Sequence, residues 1–343
     1  MHSNPLVSIV VYNYNYGKYL STCFDSIINQ DYGNIEILFS DNASIDNSWE
    51  IALSYSRKFP DLFFLARNRK NFGASANLRN CMQNVRGEYL LFLASDDYIK
   101  PNYISTCVDM LQKHADAAFV MVHRLVIGDD GKEICEAPFY DNSYKLYPPS
   151  QAGVYFMSPI NPCISQVFYR TKAIGTTRRE TFNDLFYGHR LVDFQLSLQM
   201  PIIYLKDALT IQRVHNESDS ENITENLIQI IGHYVLNHQF NAMMSSYDFN
   251  ISDKKFEKSF KRLAEVSLKY SVNSIIRGKI SLAKKYWYLS ATIDLDTEQS
   301  ALGKMVREAL VTNDASIIKE LQQSEYAKIR TVSYRPDPPF EKI

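Results

Sequence analysis

The chain has 343 residues, 45% of them hydrophobic, with 37 basic and 38 acidic side chains and a formal net charge of −1. That length exceeds what one hydrophobic core usually supports, so two domains are expected. The balanced charge argues against nucleic acid as a partner, no long apolar run offers a membrane span, and five scattered cysteines without a CxxC pair argue against a disulfide framework or a structural zinc site.

The N-terminus has no basic-then-apolar leader, so a reducing, cytoplasmic setting is expected. Residues 6–11 are β-branched and apolar and predict a buried strand. Residues 12–17 (Tyr-Asn-Tyr-Asn-Tyr-Gly) are turn chemistry rich in hydrogen-bonding groups. Leu20, Cys23, Phe24, Ile27 and Ile28 then recur at helical spacing over 19–30. A second strand, 35–39, ends at Ser40-Asp41-Asn42. Residues 46–57 read as a helix, 62–66 as a third strand, Asn71-Phe72-Gly73 as a turn and 74–85 as a helix. The apolar run 87–94 follows and stops abruptly at Asp96 and Asp97, and Pro101 opens the next helix.

Strands alternating with helices imply a parallel sheet covered by helices, in which ligands collect at the carboxyl ends of the strands. Asp96 and Asp97 fall at such an end. Carboxylates there can hold a hard divalent cation, which in turn can hold a diphosphate. The plainer alternative is a strand-end turn whose Asp caps the next helix. The first turn has neither G-x-G-x-x-G nor a Walker loop, which disfavours a dehydrogenase. A nucleotidyltransferase is disfavoured too, because 13–17 is not a glycine-rich loop bearing Arg or Lys. The aromatic and amide side chains of the first turn suit a base and a ribose better than a pyrophosphate. Asp41 can accept from a pyrimidine N–H or a ribose hydroxyl, or else close an Asx-turn; Asp46 is the better cap for the following helix.

Beyond Asp97, residues 117–127 predict a strand, 129–131 a hairpin-like turn, and 136–162 a long loop rich in Pro and Tyr. A strand is expected at 164–170 and a helix carrying Asp193 at 185–200. One or two short strands at 202–214 end in Arg213-Val214-His215. Residues 225–328 read as all helix, and 333–343 as an extended or disordered Pro-rich tail. The expected domains are therefore 1–222 and 223–343. Ten Lys and Arg lie between 253 and 285, and a solvated helix face is preferred there to a membrane-docking one.

Several motifs recur in a fixed order. The first is Val7-Ser8-Ile9-Val10-Val11-Tyr12-Asn13-Tyr14-Asn15, followed by Tyr19-Leu20, Ser26, Gln30 and Tyr32. Next come Glu36-Ile37-Leu38-Phe39-Ser40-Asp41-Asn42-Ala43-Ser44-Ile45-Asp46, then Asn71, Gly73, Asn77, Cys81, Gly87-Glu88-Tyr89, Phe92-Leu93, Asp96-Asp97 and Pro101. Asp193, Leu196, Ile203-Tyr204, Leu209, Arg213 and His215 close the series. Over about residues 5–220 the chain resembles the family 2 glycosyltransferases. The resemblance implies a GT-A fold: an α/β, Rossmann-like, mostly parallel sheet with helices on both faces, here followed by an all-helical C-terminal region. It implies transfer of a sugar from a nucleotide-diphosphate sugar, UDP-linked foremost, to a hydroxyl of a glycan or lipid-linked glycan, with inversion.

By that resemblance Tyr12 and Tyr14 line the nucleotide pocket, Asp41 contacts the base, and Asn77 lies near ribose or phosphate. Gly73, Asp97 and Arg213 complete the nucleotide-sugar site. Asp96 and His215 serve Mn²⁺ or Mg²⁺, and Asp193 is the general base. The residues themselves leave an alternative for Asp193, a helix-surface acid paired with Arg190. Two departures stand out. Tyr12 replaces the usual proline, and the D-x-D triplet reads Ala94-Ser95-Asp96. The second departure raises the alternative of a catalytically degenerate sugar-nucleotide-binding protein of the same fold. Peripheral contact with the inner membrane face and self-association through the C-terminal helices complete the expectations.

Overall fold

The computed structural model describes residues 4–128, 130–134, 136–157, 162–177, 188–215, 218, 223–249, 253–324 and 333–343. The chain divides into two compact units. One comprises Met1–Ala152, Pro162–Val214 and Val332–Ile343; the other comprises Gly153–Asn161 and His215–Thr331.

The first unit is one mixed sheet. Its strands are β1 (Val7–Asn13), β2 (Ile35–Asp41), β3 (Phe63–Arg67), β4 (Tyr89–Ala94), β5 (Tyr98–Ile99), β6 (Phe119–Ile127), β7 (Glu133–Ile134), β8 (Tyr144–Leu146), β9 (Val167–Arg170), β10 (Ile202–Arg213) and β11 (Phe340–Lys342). The order across the sheet is β11-β8-β10-β6-β9-β4-β1-β2-β3, with β5 on β10 and β7 on β6. β1 lies parallel to both β2 and β4, β2 to β3, and β10 to β6. β9 is antiparallel to both β4 and β6, so those two also run the same way. The carboxyl ends of β1, β2, β3, β4, β6 and β10 therefore share one edge.

Both faces of the central strands are covered, so they read as continuous apolar runs rather than alternating ones. Val7, Ile9, Val11, Ile37, Phe39, Leu91 and Leu93 pack with α1 (Gly17–Ile28), α2 (Ser48–Lys58) and α4 (Tyr103–Lys113). Phe24 of α1 sits edge-on to Phe39 and Phe63 at ring separations of 5.5 and 5.0 Å. The opposite face carries Val10, Leu38, Ser40 and Phe92. Asn77 of α3 (Ala74–Met82) bonds Ser40 there, and Asp193 of α7 (Gly188–Gln199) bonds Tyr169 of β9.

Three expectations change. The stretch 136–162 is not one long loop, because it contains β8 and α5 (Ser150–Met157). Residues 164–166 form a 3-10 turn, so the strand there is only β9. The Pro-rich tail does not trail from the helices. Phe340–Lys342 pairs antiparallel with β8, and the Phe340 ring meets Tyr144 at 5.1 Å. An unpaired edge strand leaves a row of N–H and C=O groups unsatisfied, and the tail supplies their partners. Residues 202–213 form a single strand whose register shifts twice, between Leu205 and Thr210. The four described cysteines, Cys23, Cys81, Cys107 and Cys163, are thiols.

Among its described residues the second unit is helical, as the periodicity of 225–328 predicts, with 325–328 outside the described residues. After α6 (Thr171–Ile174) and α7 in the first unit, its helices are α8 (Ile228–Ser246), α9 (Asp253–Ile276), α10 (Ile280–Ile293), α11 (Leu295–Gln299), α12 (Ala301–Thr312) and α13 (Ala315–Gln323). Serines brace the α9–α10 pair. Ser267 and Ser271 donate to the carbonyls of Tyr286 and Ala283 at 2.8 Å, and Ser290 to that of Ala264 at 2.7 Å. Small side chains let the two backbones approach closely enough for these bonds. Gly278, at φ +70°, turns the chain between them. Gly278 N donates to Ile275 O and Lys279 N to Ser274 O, the paired bonds of a left-handed helix stop. Among the described residues no helix is long and apolar enough to cross a membrane.

Candidate active site

The loops after β1 and β2 are stitched together by short polar side chains. Asn13 is buried and its amide donates to Asp41 Oδ1 and to Ser44 Oγ, each at 3.1 Å. Asn15, at φ +58°, accepts from Ile45 N at 2.9 Å. Asp46 accepts from Ser48 N at 3.0 Å and from Gly17 N at 2.8 Å, so one carboxylate caps α2 and ties it to the start of α1. A Cβ at Gly17 would lie 2.3 Å from Asn47 Oδ1, so a side chain there would displace the exposed Asn47 amide. This edge leaves Tyr14 exposed and Tyr12 half-buried.

Asp41 is fully buried at the end of β2. Its Oδ2 accepts from Ser44 N at 3.0 Å and faces Arg67 Nε at 3.2 Å. Arg67 in turn covers the Trp49 ring at 5.4 Å. The carboxylate thus accepts from a backbone N–H three residues on, and Asn13, Ser44 and Arg67 enclose it. An amide relay continues from it. Asn42 accepts from Asn68 at 2.8 Å and donates to Asn71 at 2.7 Å, and Asn80 donates to Asn68 at 2.6 Å. Asn42 also accepts from Phe72 N at 3.0 Å. The relay pins the loop in which Gly73, at φ +85°, starts α3.

Asn77 is 1% exposed and committed on both ends of its amide. Its Oδ1 accepts from Ser40 Oγ at 2.6 Å and from Asn68 Nδ2 at 3.2 Å. Its Nδ2 donates to the carbonyls of Asn13 and Ser40, at 3.2 and 3.0 Å. It joins β1, β2 and α3 as a strut beneath the carboxyl edge of the sheet.

At the end of β4, Asp96 and Asp97 have different surroundings. Asp97 is buried, with Oδ1 accepting from Arg213 N at 3.0 Å and Oδ2 from Ser165 Oγ at 2.7 Å. Burial, then the adjacent Asp96 charge, pushes its pKa up to about 8. Asp96 is only half-buried, and its carbonyl accepts from Arg213 Nε at 3.1 Å. The Arg213 guanidinium also lies 4.8 Å from the Tyr19 ring centre and 5.7 Å from that of Tyr98. Ser165 is the hub of this corner. Its hydroxyl accepts from Ala94 N at 3.1 Å, and its carbonyl accepts from the hydroxyls of Thr210 and Tyr103 at 2.9 and 3.2 Å. Sequence reasoning missed Ser165, because a lone Ser in an aperiodic stretch carries no pattern.

Asp193 lies within α7 and is completely buried. Its Oδ1 accepts from the Tyr169 hydroxyl at 2.6 Å. Burial raises its pKa to about 7, opposed by the Tyr169 hydrogen bond and by Arg190. The surface-acid alternative is thereby removed: both Asp193 and Arg190 are enclosed. His215 is buried as well and belongs to the helical unit.

A divalent cation would need oxygen or nitrogen donors at this edge. No group of three or more His, Cys, Asp or Glu able to hold a metal occurs among the described residues. Ala94 supplies no side-chain donor, and both Asp97 oxygens are committed to the protein. Asp96 remains. A single carboxylate fits Mg²⁺ or Mn²⁺ arriving with a diphosphate and water, not a preformed cage.

The model of glycosyl transferase family 2 matches residues 8–182, just over half of the chain. The chain belongs to this family. Among curated relatives, this family 2 chain is 40% identical to the glycosyltransferase GlyG of Streptococcus pneumoniae over 121 residues, 33% of this chain and 38% of that protein. It is 30% identical to the chondroitin synthase of Escherichia coli over 130 residues, 38% of this chain and 19% of that one. The matched stretch thus spans less than half of those relatives. Among solved structures, S. aureus TarS 1–349 in complex with UDP-GlcNAc aligns at a TM-score of 0.51 and 15% identity, covering 90% of this chain and 92% of that one. The mannosyltransferase PcManGT of Pyrobaculum calidifontis, in complex with GDP-Man and Mn²⁺, aligns at 0.56 and 13%, covering 95% and 85%. At such identities the likeness is one of fold, and it extends the GT-A architecture over most of the family 2 chain described here.

Proposed function

We propose that this chain transfers a sugar from a nucleotide-diphosphate sugar to an acceptor hydroxyl, with inversion. Family membership supports transfer. The observation that carries the mechanism is Asp193, an enclosed carboxylate whose proton affinity is raised to about 7. A general base works best when its pKa lies near the working pH. The acceptor oxygen bonds the anomeric carbon as the carbon–phosphate oxygen bond breaks. The acceptor proton goes to Asp193 and the electron pair to the leaving diphosphate.

Tyr12 and Tyr14 offer rings to the nucleoside at the carboxyl edge of β1. Asp41, which the Ser44 and Arg67 contacts enclose, fixes the loop that meets the base. Arg213 and Asp96 face the diphosphate; a divalent cation held by Asp96 would neutralise charge on the leaving group. In this reading Asp97, Asn77 and Gly73 shape the edge from below. The acceptor is a glycan or lipid-linked glycan in surface polysaccharide assembly at the inner membrane face. The similarity to a chondroitin synthase supports a polymer-building role.

The test is a thermal-shift or calorimetric screen of the purified protein against UDP, GDP, CDP and dTDP, with and without Mn²⁺. One nucleotide that stabilises only with metal supports the reading and names the donor class. Stabilisation without metal dependence moves the leaving-group role to Arg213. No binding at all favours the second reading, a degenerate family member, which the Ala94 position motivates.

A further inference from the structure

The turn between α9 and α10 borders a cavity of about 100 Å³ that lies wholly within the helical unit. From residue 266 to 293 the chain carries Lys269, Arg277, Lys279, Lys284 and Lys285 and no acid. Two of these cations, Arg277 and Lys279, flank Gly278 and line the cavity. Gly278, at φ +70°, reverses the chain within a residue, so the end of α9 and the start of α10 both supply walls. Tyr286 is completely enclosed. Its ring stacks on that of Tyr270, with centres 5.1 Å apart and planes 20° from parallel, and its hydroxyl donates to the Thr224 carbonyl. Tyr270 and Thr224 both line the cavity, so one buried side chain fixes two of its walls before any ligand arrives. Leu282 adds an apolar wall and Asn273 a side-chain amide.

We propose that this cavity is a phosphoryl-binding site in which Arg277 and Lys279 hold the oxygens of a phosphate ester. Size excludes a whole nucleotide sugar, because pockets for whole small molecules run to roughly 300–1,000 Å³. A water needs about 10–15 Å³ of such space, so the cavity has room for a group of several heavy atoms. Charge selects the group. The arginine fork matches phosphate oxygens two at a time, and the lysine ammonium acts as a point charge. Lys279 meets Glu225 at 2.8 Å, but the two side chains are 39% and 52% exposed. An ion pair that open to water holds weakly and yields to a more highly charged anion. A phosphoryl group also offers the Asn273 amide and the Thr224 hydroxyl an oxygen that a singly charged, planar carboxylate lacks. The cations of this turn, which sequence alone reads as a solvated face, thereby acquire a ligand.

The test uses the full chain as wild type, as the double variant Arg277→Gln/Lys279→Gln, and as the control Lys284→Gln/Lys285→Gln. The control removes the same charge from exposed positions of α10. Inorganic phosphate is titrated by calorimetry at fixed ionic strength, with acetate as the comparison anion. Wild type should bind phosphate saturably and acetate far more weakly. The cavity variant should bind phosphate roughly tenfold more weakly, as the loss of charge-assisted hydrogen bonds requires, and the control within about twofold of wild type. Arg277 is exposed and Lys279 partly so, so the variant folds, and its melting temperature without phosphate should stay within a few degrees of wild type. Vesicles of phosphatidylcholine with and without phosphatidic acid, and soluble glucose 1-phosphate, then separate the sources of the group. Sedimentation with vesicles that needs both phosphatidic acid and the Arg277–Lys279 pair assigns a lipid headgroup; binding of glucose 1-phosphate without vesicle binding assigns a soluble phosphate ester. Wild type that binds no phosphate, a cavity variant that binds it like wild type, or a control that loses as much as the cavity variant overturns the proposal.

Discussion

Replacing Asn77 with Ala should cost the sheet unit roughly 3–5 kcal/mol, and this separates a strut from a ribose contact. The magnitude follows from what truncation leaves behind. The Ser40 hydroxyl and the Asn68 amide each lose a buried acceptor, and the carbonyls of Asn13 and Ser40 each lose a donor. Leaving a buried polar group unsatisfied costs about 1–3 kcal/mol. The low end applies here, because both carbonyls can keep their sheet partners and the Ser40 hydroxyl can rotate. Four groups at about 1 kcal/mol each give about 4, and a small cavity adds little. Asn77→Asp should be no better near neutral pH, since it turns a carboxylate oxygen toward two carbonyls. The chain has two tryptophans, Trp49 in the sheet unit and Trp287 in the helical one. A Trp287→Phe background therefore leaves Trp49 fluorescence in urea as a reporter of the sheet unit alone. A loss below about 1 kcal/mol, accompanied by a selective loss of nucleotide binding, would refute the strut and return Asn77 to the ligand.

The remaining predictions concern charge and the sheet edge. Asp193 must be ionised to accept a proton, so activity should fall as pH drops through about 7, and Asp193→Asn should abolish turnover while sparing donor affinity; a pH-independent rate between 6 and 8 counts against it. Asp97 has its pKa raised in the fold from an ordinary carboxylate value to about 8, so the native state binds the extra proton and stability declines as pH rises across that window. Asp97→Asn cannot ionise, and its melting temperature relative to wild type should climb with pH, by the equivalent of up to roughly 1 kcal/mol per unit, and level off above about pH 8. Asp96→Ala should remove metal-dependent nucleotide binding and leave the melting temperature of the unliganded protein within a few degrees; an unchanged response to Mn²⁺ would speak against Asp96. Deleting 333–343 uncovers β8 and the Tyr144 ring and removes the Lys342–Tyr144, Glu341–Lys145 and Phe340–Leu146 pairings. It should lower stability by roughly 1–3 kcal/mol and promote concentration-dependent association, measured by light scattering.

The pair Asp96-Asp97 shows how far sequence reading reached into the site. Its position at the end of an apolar strand was legible, because a strand buried on both faces announces itself as a continuous hydrophobic run. The division of labour was not. Only Ser165 and the Arg213 backbone, 68 and 116 residues further along, reveal that both carboxylate oxygens of Asp97 are held by the protein. Asn77 likewise matches its motif, yet its four bonds reach Asn13, Ser40 and Asn68, partners that no local pattern names. Asp193 was placed by its motif alone, and the sequence left open whether Arg190 neutralised it on the surface. Its burial depends on α7 lying against β9.

By itself the sequence determined the alternation of strands and helices, the edge where the carboxylates gather, the helical character of the described part of 225–324 and the family. Each follows from hydrophobic period and short motifs, which act over a few residues. Tertiary structure alone decided that the last residues close the sheet, that 164–166 is a turn rather than a strand, and which oxygen of each carboxylate is already taken. Those outcomes depend on pairings between residues tens to hundreds of positions apart. Backbone groups at a sheet edge and buried carboxylates accept whichever partner the fold delivers, and the one-dimensional pattern carries no record of that choice.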